Sequence, residues 1–144
     1  MIEQDTIRLL RECDAGVKMG LAAIGEVLDH AQSDGLRRAL EDNKAGHEKL
    51  DRRLQSELAS YRDEGKDPNP MAKGMSWLKT NAMLAMKDGD KTIADLITDG
   101  CNMGVNSLRK YLNEYKAADE ASKCIAKDLI ELEEKLTMEM RYYL

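Results

Sequence analysis

The sequence predicts an all-α fold: a four-helix bundle of two antiparallel hairpins, joined by a long crossover with a short extra helix. Three observations carry this. Apolar residues recur every three or four positions in four separate segments, and no stretch alternates apolar and polar residues over the length of a strand. The composition favours helix, with nine methionines, two prolines, no phenylalanine and abundant Leu, Ala, Lys, Glu and Asp. The 144 residues are 42% hydrophobic, enough for one domain (1–144) with a real core.

The elements follow in order. The first helix spans about 3–31, with Ile7, Leu10, Val17, Leu21, Ile24 and Leu28 on one stripe and Asp14 on the same stripe. AQSDG at 31–35 is a tight turn in which Ser33 or Asp34 caps the next helix. The second helix spans about 34–62, placing Leu36, Leu40, Asn43, His47, Leu50, Leu54 and Leu58 or Tyr61 inward. So short a connection makes the two antiparallel neighbours. DEGKDPNP opens a polar crossover, 63–89, and Asn69-Pro70 reads as an N-cap followed by proline at the first helical position. A short helix over about 71–87 then carries Met75, Leu78, Met83 and Met86 around the only tryptophan, Trp77. The third helix spans about 90–116, with Ile93, Leu96, Ile97, Met103, Leu108 and Tyr111 or Leu112 inward. KAAD makes a break without glycine or proline, and the fourth helix spans about 119–142 through Ile125, Leu129, Leu132, Leu136 and Met140.

GVKMG at 16–20 and GCNMG at 100–104 echo each other. At an offset of 84 residues Gly16 meets Gly100, Met19 meets Met103, Gly20 meets Gly104, Ile24 meets Leu108 and Leu28 meets Leu112. The register is that of a duplicated hairpin or of chance likeness between amphipathic helices. Mid-helix glycine costs about 1 kcal/mol against alanine, so something offsets it. The expectation is close approach of the first and third helices, with the methionines filling the space beside the glycines. Room for a ligand is the competing reading.

Composition excludes several functions. Charged residues make up 34% of the chain with a net charge of −5 and no contiguous basic patch, which speaks against nucleic acid. No segment reaches eighteen apolar residues and the start lacks a signal-peptide core, so neither a membrane span nor a leader is expected. Three dispersed cysteines, Cys13, Cys101 and Cys124, form no CxxC pair; this fits a reducing cytoplasm rather than a disulfide framework or zinc knuckle. Both glycine pairs lie mid-helix, where backbone amides are already used, so neither is a phosphate loop.

LLRECDAGVKMG near the start, KGMSWLKTNAM in the crossover and KDGDKTIADLITDGCNMGVNSLRKYLNEY in the second half carry a resemblance. Over nearly its whole length the chain resembles the bacterial DUF2383 family, uncharacterised proteins grouped with the ferritin-like superfamily. The resemblance implies a ferritin-like bundle and no particular activity. Ferritin-like di-iron centres need a Glu on each of two helices and Glu-x-x-His on each of the other two. Here the position three before His47 is Lys44, Glu131 and Glu134 have no histidine beside them, and the other histidine, His30, ends the first helix. An intact di-iron site and redox catalysis are therefore not expected.

Asp14, Asn43 and His47 remain as polar residues on apolar stripes, with Asp128 and Glu131 at the margin of the fourth. Buried polar groups must be paired. Three readings stay open: a hydrogen-bonded cluster of Asp14, His47 and Asn43; side chains reaching solvent at a bundle edge; or a site for one divalent metal ion or small polar ligand, with Asp14, His47 and Glu131 as candidate ligands. The functional expectation is a non-catalytic bundle with a degenerate ferritin-like core and no resident cofactor, acting through self-association or a protein partner. The alternative is single-metal or small-ligand binding at a reduced site.

Overall fold

The computed structural model describes residues 2–68 and 89–144. Among them four helices follow in order: α1 (Ile2–Leu28), α2 (Asp34–Ser60), α3 (Asp90–Glu114) and α4 (Glu120–Met140), closed by a 3₁₀ turn at Arg141–Tyr143. The four long helices lie within a few residues of their expected bounds. The short helix expected at about 71–87, with Trp77, lies outside the described residues.

Local chemistry sets the helix ends. The Ser33 hydroxyl accepts from the Leu36 N–H at 3.2 Å and opens α2. Asp119 does the same for α4, accepting from the Ser122 N–H at 2.8 Å. α2 stops through a backbone motif: Asp63 N–H returns to Leu58 O and Arg62 N–H to Ala59 O. That geometry puts Arg62 at φ +56°, in the left-handed region usually reserved for glycine. With an arginine there, the sequence carries no glycine stop signal, and the expected helix ran two residues too far.

Hydrogen bonds between helix ends fix the topology. At one end, the Gln32 and Ser33 N–H groups donate to the two oxygens of Asp90, at 2.7 and 3.0 Å. The end of α1 therefore meets the start of α3. At the other end, Asp119 N–H donates to Thr6 Oγ1 (2.8 Å), Ala117 N–H to Asp5 (3.0 Å) and Tyr61 O–H to Asp119 (3.1 Å). So α1 and α4 run one way and α2 and α3 the other, and α3 starts at the opposite end of the bundle from where α2 stops. This is the one-crossover, ferritin-like arrangement. α1 and α4 each pack on α2 and α3 and also touch across one diagonal, whereas α2 and α3 scarcely meet.

Two apolar clusters build the core. One gathers Leu9, Leu10, Cys13, Val17, Leu50, Leu54, Leu58, Ile125 and Leu129 near the start of α1. The other gathers Ile24, Val27, Leu36, Leu40, Ile93, Ile97, Leu136 and Met140 near its end. On every helix a non-aliphatic residue stands between the two: Gly20 on α1, Asn43 and His47 on α2, Gly104 on α3 and Glu133 on α4. The inner stripes also correspond across the hairpins. At the offset of 84, Leu9, Leu10, Cys13, Val17 and Ile24 map onto Ile93, Ala94, Ile97, Cys101 and Leu108, all buried. At an offset of 86, Leu36, Leu40, Asn43, His47, Leu50 and Leu54 map onto Ser122, Ala126, Leu129, Glu133, Leu136 and Met140, again all buried.

Candidate functional site

The layer between the two clusters holds the most unusual chemistry of the core. His47 is 1% exposed, Asn43 5% and Glu133 7%. The Asn43 side-chain amide donates to the Leu132 carbonyl at 2.9 Å, tying α2 to α4. His47 Nδ1 lies 3.0 Å from the carbonyl oxygen of Asn43, one turn back on its own helix. A carbonyl only accepts, so Nδ1 carries the hydrogen and a neutral ring presents its lone pair at Nε2. Nε2 faces Glu133 Oε1 at 4.0 Å, beyond hydrogen-bond length. Asn43 Oδ1, His47 Nε2 and Glu133 Oε2 are all buried without a protein hydrogen-bond partner. Burial pushes the Glu133 carboxyl above the ordinary glutamate range, and the nearby imidazole only partly opposes that.

The glycines explain how the polar pair fits. A Cβ on Gly20 would stand 2.5 Å from His47 Nε2 and 2.9 Å from Cδ2. A Cβ on Gly104 would collide with Glu133 Oε2. The second glycine of each echo thus leaves room for a polar side chain from the partner helix of its own hairpin. This replaces the expectation that all four glycines serve close approach of α1 and α3. Gly16 has only ordinary contact with Leu129, at 3.5 Å, and Gly100 meets nothing within 4 Å. Met103, expected inward, is 71% exposed because the inner stripe of α3 passes through Cys101, Gly104 and Leu108.

Asp14 belongs elsewhere. Its buried carboxylate accepts from Gln55 Nε2 (2.9 Å) and from the Lys66 backbone N–H (3.0 Å), and pairs with Lys18 at 2.8 Å. Gly65, at φ +84°, packs against this carboxylate where a Cβ would strike Asp14 Oδ2. Ion pairs Arg11–Asp63 (2.6 Å), Lys66–Glu12 (2.6 Å) and Lys18–Asp67 (3.2 Å) surround the contact. Asp14 therefore anchors the start of the crossover to α1. The expected Asp14–His47–Asn43 cluster resolves into two separate groups, because Asp14 is already satisfied by the crossover.

Glu131 is exposed, and Asp128 is half-buried and paired with Arg53 at 2.7 Å. The candidate ligands Asp14, His47 and Glu131 are thus not brought together. Among the described residues no group of three or more His, Cys, Asp or Glu side chains is arranged to hold a metal ion. Sequence reasoning missed Glu133 because Leu132 beside it is the obvious apolar choice; Leu132 is only half-buried and packs over Gly46. The signal that finds Glu133 is the second repeat register, which pairs it with His47. Cys13 and Cys101 are buried, and burial pushes both thiols up to about 12, so they act as small apolar groups.

No family model, curated protein or solved structure matches the chain. Among the described residues no helix is long and apolar enough to cross a membrane.

Proposed function

We propose that the chain is a non-catalytic helical bundle that works by docking a second copy of itself or a protein partner on the α3–α4 face. The observation that carries this reading is the exposure of two large flexible apolar side chains on these helices, Met103 of α3 at 71% and Met138 of α4 at 62%. Methionine adapts to varied partner surfaces, and exposed apolar side chains gathered on one face favour association. A groove of about 370 Å³ runs between α3 and α4, with Met138 and Val105 on its wall and Arg109, Glu134 and Arg141 supplying charge of both signs. Tyr142 and Leu144 extend the apolar surface, at 88% and 51% exposure.

The alternative, one divalent metal ion or small polar ligand at a reduced ferritin-like site, draws no support from a convergent ligand set. A cytoplasmic location stays part of the proposal and is supported by the three unpaired cysteines. The test is light scattering at micromolar concentration on the full chain and on Met103→Asp with Met138→Asp. A dimer or larger species dissociated by the double substitution supports self-association. If the full chain is monomeric, cross-linking in extract that captures one protein, and loses it with the double substitution, supports a partner. A monomer whose captures are unchanged by the substitutions overturns the reading.

A further inference from the structure

We propose that Glu133 is kept as a neutral carboxylic acid in the folded bundle, its O–H directed at His47 Nε2, so that the core holds one proton between the two side chains and loosens when rising pH removes it. The imidazole of His47 has one nitrogen already in use. Its Nδ1–H is committed to the Asn43 carbonyl at 3.0 Å, so a neutral ring can only accept at Nε2. A carboxylate 4.0 Å away would set two acceptors against each other inside the core. Neither Nε2 nor Glu133 Oε2 has another protein partner. One added proton removes the conflict.

That proton has two possible homes. On Nε2 it makes a buried imidazolium–carboxylate pair; on Glu133 it makes a neutral acid facing a neutral base. A buried ion pair repays its desolvation only where further hydrogen bonds satisfy both charges. Here the ring has its single bond to Asn43, and Glu133 Oε2 lies against Gly104. The neutral form avoids the burial of charge altogether. The 4.0 Å gap is spanned by a turn of the terminal carboxyl torsion or by one bridging water.

Among the described residues the surroundings offer no competing charge. From α3, Cys101 faces Glu133 as a neutral thiol, its ionisation pushed up to about 12 by burial first and by Glu133 second. From α1 comes Gly20, beside the ring. From α2 come His47 and the Asn43 amide. On α4 itself, Glu134 points outward to Arg109 at 3.3 Å. Among the described residues, His47 is the one side chain that opposes the effect of burial on the Glu133 carboxyl.

The sign of the pH dependence follows. A carboxyl held above its ordinary value of 4.5 binds more proton when folded than when unfolded. Its stabilising contribution is full below that value and is lost as pH rises through the folded value. Over that window the unfolding constant of the wild type grows by up to about tenfold per pH unit relative to Glu133→Gln. The glutamine keeps an N–H donor toward Nε2 and cannot ionise. The experiment combines urea unfolding of both proteins from pH 4.5 upward with NMR of the folded wild type. Expected are a Glu133 carboxyl carbon shift of the protonated acid at neutral pH and a His47 ring protonated at Nδ1 alone. A carboxylate shift at neutral pH, a proton on Nε2, or parallel pH profiles for the two proteins would each overturn the proposal. If Glu133→Gln does not fold, the two NMR readings decide the question by themselves.

Discussion

Substituting alanine for glycine at two positions of one motif should move stability in opposite directions. In a helix interior the change contributes about 1 kcal/mol through backbone entropy. Gly100 has nothing within 4 Å of an added Cβ, so Gly100→Ala should show that gain undiminished. Gly20 is different. Its Cβ would approach three atoms of one ring, His47 Nε2 at 2.5 Å, Cδ2 at 2.9 Å and Cε1 at 3.4 Å. The imidazole is rigid and buried, and its only protein hydrogen bond is the one from Nδ1 to Asn43 O. Restoring van der Waals separation requires the ring to move by about 1 Å. Overpacking of this kind costs roughly 1–3 kcal/mol. Losing the hydrogen bond adds about 1 kcal/mol more. After the helix gain is subtracted, Gly20→Ala should be destabilised by about 1–3 kcal/mol, and the two variants should differ by about 2–4 kcal/mol. Urea unfolding of wild type and both variants measures this directly. If Gly20→Ala gains stability as Gly100→Ala does, the glycine is not making room for the histidine.

Other substitutions report on other parts of the structure. Asp14→Ala should cost about 2–4 kcal/mol, since it strips the Lys66 N–H of its acceptor and Gln55 of one of two, and empties a buried position; faster amide exchange at Lys66 is the local check. Asp90→Ala should cost about 1 kcal/mol and speed exchange at the Gln32 and Ser33 amides. Burial raises the Asp90 carboxyl, but those two N–H groups, with the Ser33 side chain and Arg37, outweigh it and hold it below its ordinary 3.8, so the contribution is present above that value and is lost as pH falls through the folded one. A thiol reagent should label one cysteine per native chain, the exposed Cys124, and all three after unfolding; early labelling of Cys13 or Cys101 would contradict their burial.

The four helices were legible because each buries a stripe whose spacing alone specifies it, and Ser33 announces the start of α2; the Asp119 cap of α4 was not read from the sequence. The end of α2 was not, because Arg62 takes a backbone conformation that sequence reasoning assigns to glycine or asparagine. Asp14 and His47 were both recognised as inward, yet their partners depend on what the crossover and α4 bring to them. That is tertiary information: Lys66 lies 52 residues from Asp14, and Glu133 lies 86 from His47. A single stripe could not decide between Leu132 and Glu133 either. Both keep three- and four-residue steps between Leu129 and Leu136, and Leu132 satisfies hydropathy as well, yet Glu133 is the one buried.

The position of the polar pair bears on how two similar hairpins assemble in one register. The apolar clusters on either side are built from interchangeable aliphatic residues, and a slip of one helical turn would still place Leu or Ile against Leu or Ile. The central layer does not permit that. Slide α2 by one turn along α1 and the His47 ring meets Gly16 or Ile24 instead of Gly20; only the first has space, and there Leu129 already stands 3.5 Å from where a Cβ would be. Slide α4 along α3 and Glu133 meets Leu108 in one direction, and in the other Cys101 or Gly100, the latter on the exposed side of α3. Burying an unmatched carboxyl against leucine costs several kcal/mol, far more than any loss of aliphatic complementarity. The Asn43 amide adds a bond that exists in one register alone, to the Leu132 carbonyl. A polar layer that weakens the core locally therefore strengthens the preference for one arrangement of it, as a single buried polar residue does in a coiled coil. On this argument His47→Leu with Glu133→Leu, given glycines to receive the new side chains, should yield a bundle of equal or higher melting temperature with poorer dispersion of its methyl resonances. A variant as well dispersed as the wild type would show that the aliphatic clusters set the register unaided.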